Sequence, residues 1–128
     1  MKKKIIFSII ISLILFIIIS ISFMLNSKKT YKVTITNNTN SNISNLTLKF
    51  KPGKTISEDF KLNPKETIKY DIDTSDIDGE TSLVLLFKDD TNNLHEEYVT
   101  GYLEKNYTGK AKVLIDINND NKIYFSIK

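Results

Sequence analysis

Acidic side chains concentrate in one short segment, which contains Asp73, Asp76, Asp78 and Glu80. Calcium takes six to eight oxygen ligands, and this segment, with Ser75, could supply several of them. A solvated acidic loop is the simpler interpretation. The functional alternative is a calcium site of the millimolar affinity found in extracellular modules. We do not expect a glycosidase pair of carboxylates here, because so polar a loop would leave every carboxylate hydrated.

Tyrosines are the second candidate group, and Tyr98, Tyr102, Tyr107 and Tyr124 all lie in the C-terminal half. A ring with a polar tip suits stacking on a sugar or contact with a protein partner. Tyr98 and Tyr102 are four residues apart in a strand-like run and should therefore share a face. We favour the alternative that these rings are half-buried at the core edge, since a glycan platform would be expected to contain Trp. Tyr107 is the tyrosine we most expect to be exposed, because it lies in the loop 104–109.

The sequence contains few of the residues that nucleophilic catalysis requires. His95 is the only imidazole, and its neighbour Glu96 should point to the opposite face of the strand. The chain has no Cys, which excludes disulfides, thiol nucleophiles and Cys-ligated metals. It also has no Gly-x-Ser-x-Gly elbow to activate a serine. We therefore expect no catalytic activity; the enzyme alternative is a calcium-assisted hydrolase that uses residues 73–80.

The net charge of +3 comes entirely from Lys2, Lys3 and Lys4, since the rest of the chain balances 15 Lys against 15 acidic residues. With no Arg, bidentate recognition of phosphate or guanine has no donor, and nucleic acid is not an expected partner. Charge is nevertheless segregated along the chain: +6 over residues 28–69, −9 over 70–104 and +3 over 105–128. Either neighbouring strands pair these charges across a sheet, or the acidic segment 70–104 forms a separate binding face.

Residues 5–25 form a run of 21 residues without a charge, and about 20 helical residues cross a bilayer. The lysines at positions 2–4 favour a cytoplasmic N-terminus. We predict a cytoplasmic tail (1–4), a transmembrane signal-anchor helix (5–25), a linker (26–29) and an extracytoplasmic domain (30–128). The alternative is a signal peptide cleaved after Ser22, which would yield a secreted protein. Retention is favoured because apolar residues continue through Leu25.

The rest of the chain is predicted to form β-strands, because apolar and polar residues alternate along short runs. These runs are 31–36, 46–50, 68–72, 111–117 and 123–127, with a further strand-like run at 94–103 that contains Gly101, expected to be a bulge. Residues 83–87 are apolar on both faces, which is typical of a covered central strand. Turn sequences every 8–12 residues complete the pattern. The fold class predicted is all-β, a seven- to eight-stranded antiparallel immunoglobulin-like sandwich preceded by one transmembrane helix.

Residues 33–39, 43–50 and 62–67 resemble the opening of exported immunoglobulin-like domains of Gram-positive bacteria, in which an Asn-rich hairpin and a Leu-x-Pro-x-Glu turn recur. Residues 97–110 resemble a segment of uncharacterised small membrane-anchored proteins of low-GC Gram-positive bacteria. The resemblance covers about half of the exported part. It implies a fold and an extracytoplasmic location, and no activity accompanies it.

Together these features predict a membrane-anchored extracytoplasmic binding or interaction module without catalytic activity. Its expected partners are the lipid bilayer, through residues 5–25, and an envelope protein or a wall polymer. The alternatives are an immunity- or inhibitor-type accessory protein of the envelope, a calcium-dependent surface enzyme, and a structural spacer. No cofactor is expected apart from the candidate calcium ion.

Overall fold

A computed structural model describes residues 2–25, 28–89, 92–120 and 122–128. Helix α1 (Lys2–Leu25) contains the predicted membrane span, Ile5–Leu25, whose mean hydropathy is 3.1. It is the one helix among the described residues that is long and apolar enough to cross a membrane. Every described side chain of that span is exposed, because the β-domain does not cover it. Residues 26 and 27 of the predicted linker lie outside the described residues.

Eight strands follow the helix. They are β1 (Thr30–Asn37), β2 (Ile43–Lys51), β3 (Thr55–Leu62), β4 (Thr67–Asp73), β5 (Thr81–Lys88), β6 (Leu94–Leu103), β7 (Gly109–Ile117) and β8 (Ile123–Ile127). They form two four-stranded sheets, with the orders β4-β1-β7-β8 and β3-β2-β5-β6. The sandwich-like, mostly β architecture predicted from the alternation is therefore present. The strand β5 lies between β2 and β6, which confirms it as a central strand.

The prediction of a purely antiparallel sandwich is wrong for one pair of strands. Strands β1 and β7 are parallel, in a register that runs from Tyr31 opposite Gly109 to Asn37 opposite Ile115. The cause is a change of sheet between β6 and β7. Strand β6 finishes at the end of the domain where β1 begins, so the next strand to join β1 starts at that same end. The first sheet is consequently mixed.

The two sheets bury one hydrophobic core between them. Fully buried members alternate along four strands as predicted; they are Val33, Ile35, Val113 and Ile115 from the first sheet and Leu46, Leu48, Leu83 and Leu85 from the second. Leu62 and Leu103, at the ends of β3 and β6, are also fully buried in this core. Val84 lies between two core residues of β5, yet it too is fully buried. Its register neighbours are Lys49 on β2 and Tyr98 on β6. On this second face of β5 Val84 alone is buried, since Ser82 and Leu86 are half-buried, so the expected cover is present only at its centre.

Strand β3 has no counterpart among the alternating runs in the sequence. It is an edge strand, and its pairing with β2 is interrupted by three register shifts. Asp59 adopts a positive φ of 47° in the middle of it. Because bulges change which face a residue points to, the period of two is lost, and apolar alternation cannot reveal the strand.

The two ends of the sandwich carry different loops. We call the end where β1 begins the proximal end; it carries Lys28, Lys29, the turn 52–54 and the loops 74–80 and 104–108. The distal end carries the loops 38–42 and 63–66 and the β5–β6 and β7–β8 turns. Residues 90, 91 and 121, in those two turns, lie outside the described residues.

A buried amide closes the distal end. Asn37 is fully buried, and its Nδ2 lies within 3.2 Å of the carbonyl oxygens of Ser41, Leu62 and Asn63. Its Oδ1 accepts hydrogen bonds from the backbone nitrogen and the hydroxyl of Thr39. The side chain thus joins the end of β1 to the loop before β2 and to the end of β3. Buried polar groups satisfied in this way fix one arrangement of the chain segments they connect.

Replacing Asn37 should destabilise the domain sharply. In Asn37→Ala the carbonyl oxygens and the Thr39 donors lose their partner, and we expect a loss of about 2–3 kcal/mol in the free energy of unfolding. Urea denaturation of residues 28–128 measures it. The matched control is Asn40→Ala, an exposed position in the same loop, which should change stability by less than about 0.5 kcal/mol. Equal effects of the two substitutions would contradict the assigned role.

Candidate functional site

The predicted calcium loop lies at the proximal end, and its first carboxylate already has partners. Asp73 Oδ1 accepts hydrogen bonds from the backbone nitrogen of Ser75 at 2.9 Å and from its hydroxyl at 2.5 Å. Asp73 Oδ2 lies 3.5 Å from Lys28 Nζ. The Ser75 hydrogen bonds, with the Lys28 ammonium, hold the pKa of Asp73 below its usual range. Asp73 thus organises the start of the loop and connects it to the segment that precedes β1.

The other predicted calcium ligands, Asp76, Asp78 and Glu80, are exposed on the same loop. Within the described part of the chain, no three Asp, Glu or His side chains are grouped so that they could share a metal ion. The loop therefore does not present a preformed coordination shell. Calcium binding at this loop stays a prediction, and it would require the loop to change conformation.

A shallow cleft of about 280 Å³ opens beside this loop. Its apolar surface comes from Phe50, Pro52 and Ile77, and its charged groups are Lys54 and the carboxylates of Asp73, Asp76 and Asp78. Gly53, at the turn beside it, has a φ of 141°, and a Cβ there would lie 2.9 Å from Phe50 Cβ. Glycine is required for the turn to fold back over Phe50.

Thr74 connects the parts of the proximal end. It is fully buried, and its hydroxyl lies 2.7 Å from the carbonyl oxygen of Tyr107 and 3.1 Å from that of Lys29. Its backbone nitrogen donates to Lys29 O, and its carbonyl accepts from the nitrogen of Asn106. One residue therefore fastens the segment preceding β1, the acidic loop and the 104–108 loop to each other. Its role could not be predicted, because a threonine in a polar loop has no distinguishing sequence pattern.

Two of the predicted binding tyrosines belong to a ring cluster at this end. Tyr107 lies between Tyr31 and Tyr102, with centroid separations of 6.1 Å to each. Gly109 allows this packing, since a Cβ there would lie 2.8 Å from Tyr31 Cε2. Tyr107 is exposed as expected, at 38%, although Tyr102 at 41% and Tyr98 at 49% are exposed more. Packing on the buried Tyr31 ring covers part of Tyr107.

The third predicted binding tyrosine, Tyr98, has different neighbours. Lys51 Nζ lies 5.6 Å from the centroid of its ring, and Lys51 also forms an ion pair with Glu96. The Lys51 ammonium lowers the pKa of Glu96, and that carboxylate in turn raises the pKa of Lys51. We call Lys51, Glu96 and Tyr98 the Tyr98 surface. Its two charges and its ring hold each other in position on the outer side of the second sheet, above the buried Val84.

Register shifts in β6 separate Tyr98 from Tyr102. Against β5, the strand gains one residue between Tyr98 and Thr100 and another between Thr100 and Leu103. The second shift confirms the bulge predicted at Gly101. The two rings, although four residues apart in the sequence, therefore have different neighbours. Tyr98 contacts Lys51. Tyr102 contacts Tyr107 and donates a hydrogen bond to Glu104 Oε2 at 2.8 Å.

His95 has a carboxylate partner that sequence reasoning missed. Its Nε2 lies 2.8 Å from Asp89 Oδ2, across the β5–β6 turn, and its ring stacks on Phe87 at a centroid distance of 6.0 Å. The partner is thus Asp89, six residues back, rather than the adjacent Glu96. Asp89 Oδ1 also accepts a hydrogen bond from the backbone nitrogen of Asn93. The pair closes a hairpin at the distal end, away from the cleft.

Two of the ion pairs show how the segregated charge is used. Lys28–Asp73 and Lys51–Glu96 each join the basic segment 28–69 to the acidic segment 70–104. Lys32 also lies directly opposite Asp71 in the pairing of β1 with β4. Of these three contacts, only the Lys32–Asp71 register joins neighbouring strands, as the cross-strand interpretation requires, since Lys28 precedes β1 and β5 lies between β2 and β6.

Comparison with solved structures shows a similar fold. The NMR structure of a protein from Eubacterium rectale is similar to this chain with a TM-score of 0.55 and 16% sequence identity, over 80% of this chain and 91% of the other. At that identity the similarity shows the fold alone, that of a small β-rich protein. The chain matches no protein-family model and no curated protein.

Calcium binding by the acidic loop has a direct test. A ligand that binds the folded state alone must raise the melting temperature, by an amount equivalent to about 1.4 kcal/mol at ten times its dissociation constant. The prediction requires that millimolar calcium raise the midpoint of the wild type and not that of the double variant Asp76→Asn/Asp78→Asn, as measured by calorimetry. Magnesium at equal concentration controls for ionic strength. An unchanged wild-type midpoint excludes the site and the calcium-dependent enzyme with it.

Stability should depend on pH through Asp73. Because its pKa is lower in the folded chain, its contribution is present above the unfolded value of about 3.9 and is lost as the pH falls through the folded value. Wild type should therefore melt above Asp73→Asn at pH 7, and the gap should close below about pH 4. The control Asp78→Asn, an exposed position in the same loop, should show no such gap. A difference for Asp73→Asn that is constant from pH 7 to pH 2 would contradict this role.

Proposed function

We propose that the protein is a single-pass, membrane-anchored binding module without catalytic activity, with its N-terminus in the cytoplasm and its sandwich outside the cell membrane. We further propose that the sandwich is immunoglobulin-like and that it contacts an envelope protein or a wall polymer. An immunity- or inhibitor-type accessory protein is one form of such a module.

The observation that carries the proposal is an apolar helix whose described side chains are all exposed. The neighbouring domain does not need this helix to cover its hydrophobic core. In the described span the helix exposes 17 large apolar side chains, from Ile5 to Leu25. At about 1.5 kcal/mol or more for each buried side chain, transfer to an apolar environment is worth at least about 25 kcal/mol. The sandwich closes its own core between two sheets. A bilayer is the environment that accommodates such a helix.

Two features support the proposed orientation and retention of the helix. Lys2, Lys3 and Lys4 precede the span, and short positively charged flanks stay on the cytoplasmic side. The helix continues to Leu25, past the cleavage point considered at Ser22, and Ser20 Oγ bonds back to Phe16 O at 2.8 Å. Its hydroxyl is thereby satisfied within the helix, as an anchor in a bilayer requires.

The Tyr98 surface supports the binding role. Tyrosine supplies a large contact area at low cost in side-chain entropy, and tyrosines are enriched where proteins bind each other. Lys51 is already held over the ring by its ion pair with Glu96, so binding would immobilise few additional groups. Confinement of the domain to the membrane raises its concentration near a partner in the same envelope. A modest surface therefore suffices.

We propose that the protein has no catalytic activity because its ionisable groups do not converge on one site. His95 and Asp89 close an exposed hairpin, and the carboxylates of the acidic loop are either hydrogen-bonded to the chain, as in Asp73, or exposed, as in Asp76 and Asp78. General acid–base catalysis needs titratable groups that converge on one site where a substrate fits.

Site-specific crosslinking in intact cells tests the proposal. A photoreactive residue replaces Tyr98 in one variant of the full chain and Tyr124 in the other; both side chains are about half exposed, at 49% and 46%, and they lie on different sheets. We expect a defined crosslinked product from position 98 at least fivefold stronger than from position 124. Both variants should be recovered at full length in the membrane fraction and should be digested by protease added outside the cells.

Each part of that experiment can contradict the proposal separately. Full-length protein in the cytosol, or a shortened product in the medium, would disprove the anchor. Equal crosslinking from both positions, or none from either, would contradict a binding role for the Tyr98 surface and favour a structural spacer. The identity of the crosslinked partner decides between a protein and a wall polymer.

A further inference from the structure

The proximal end of the sandwich is held close to the end of the helix by the chain itself. Lys28 follows Leu25 by three residues, which span at most about 11 Å. Lys28 Nζ lies 3.5 Å from Asp73, and Lys29 O accepts the backbone hydrogen bond of Thr74 at 3.0 Å. These two contacts hold residues 28 and 29 against the proximal end of the domain. If the helix spans the bilayer as proposed, this end cannot move far from the headgroup layer, which extends about 5–8 Å beyond the hydrocarbon core.

Aromatic rings continue outward from this attachment point. Tyr31 follows Lys29 by two residues, and it begins the series of ring contacts through Tyr107 to Tyr102, each with a 6.1 Å centroid separation. Tyr31 is buried, whereas Tyr102 and Tyr107 each expose about two-fifths of their surface. Tyr107 packs on the core residue Tyr31, Tyr102 packs on Tyr107, and both of these outer rings also face the surroundings.

The chemistry of these rings matches a membrane–water interface. Tyrosine has an apolar body and a polar tip and is enriched where membrane proteins cross the headgroup layer. Charge does not decide the contact, because the same end carries four exposed ammonium groups, at Lys28, Lys29, Lys54 and Lys105, and four exposed carboxylates, at Asp76, Asp78, Glu80 and Glu104. Contact through the rings would therefore not require anionic lipid and would be little affected by salt.

We propose that the proximal end of the sandwich rests on the bilayer, with Tyr102 and Tyr107 in the headgroup layer. This inference rests on the anchoring proposed above. It assigns the lipid surface as the occupant of the proximal end. It thereby leaves the Tyr98 surface and the distal end for contact with the envelope partner.

Depth-dependent fluorescence quenching tests the contact, since the chain has no tryptophan and a single introduced Trp is the only indole. The full chain is reconstituted in two sets of phosphatidylcholine vesicles, one with bromine near the carbonyl of the acyl chains and one with bromine near their methyl ends. The test variant is Tyr107→Trp. Tyr124→Trp, on β8, is the matched control because its position is similarly exposed, and Phe16→Trp, near the middle of the span, reports the helix. We expect at least twofold quenching of Tyr107→Trp by the shallow bromine and of Phe16→Trp by the deep bromine, and less than 20% for Tyr124→Trp by either.

The outcomes separate this inference from the proposed anchor. No quenching of Phe16→Trp would mean that the helix is not in the bilayer, so the proposed function fails. Quenching of Phe16→Trp with equally weak quenching of Tyr107→Trp and Tyr124→Trp would overturn the contact and leave the anchor intact. If circular dichroism shows that Tyr107→Trp has lost its β structure, Tyr102→Trp replaces it with the same expectation. Repeating the measurement in 0.5 M salt should leave the quenching of the test variant unchanged, and its loss would also contradict the proposal.

Discussion

The hydrogen bonds of Thr74 are the interaction on which the arrangement of the proximal end depends. A buried hydroxyl and two backbone groups of this residue connect the segment preceding β1 to the 104–108 loop, which leads from one sheet to the other. Without them the acidic loop would be held beside the segment preceding β1 through Asp73 alone, and Tyr107 would lose the hydrogen bond to its carbonyl. Asn37 has the corresponding role at the distal end. The hydrophobic core specifies that the sheets stack, and these two polar residues specify how the chain closes around it.

Local pattern predicted the parts of this fold that depend on local physics. Alternation along 31–36 and 111–117 located β1 and β7, because each has one face in the core. The two-sided apolar run 83–87 identified β5 as central, and Gly101 identified a bulge in β6. The parallel pairing of β1 with β7 could not be predicted in this way. It depends on β6 and β7 belonging to different sheets, and no residue in the intervening loop indicates that change.

The contacts that could not be predicted from the sequence share a physical reason. Asn37 continues the inward-facing series of Val33 and Ile35, so its position indicated burial, but its amide is stable there only because of carbonyl groups from three other residues. His95 finds Asp89 because a hairpin turns between them, and Tyr107 is partly covered because Tyr31 lies beneath it. Composition does not indicate which Asn, His or Tyr side chain will meet which partner. Tertiary contacts decide their roles.

The attachment of the domain also limits which surfaces are available for binding. A sandwich on a long flexible linker would present every face to its surroundings in turn. Here Lys28 and Lys29 are bonded directly to the loop that follows β4, so the proximal end stays beside the point where the chain leaves the helix. The proposed envelope partner would then meet the sides and the distal end. The Tyr98 surface is the part of those sides where a cation, an anion and a ring already constrain each other, and that prior order reduces the entropy lost on binding.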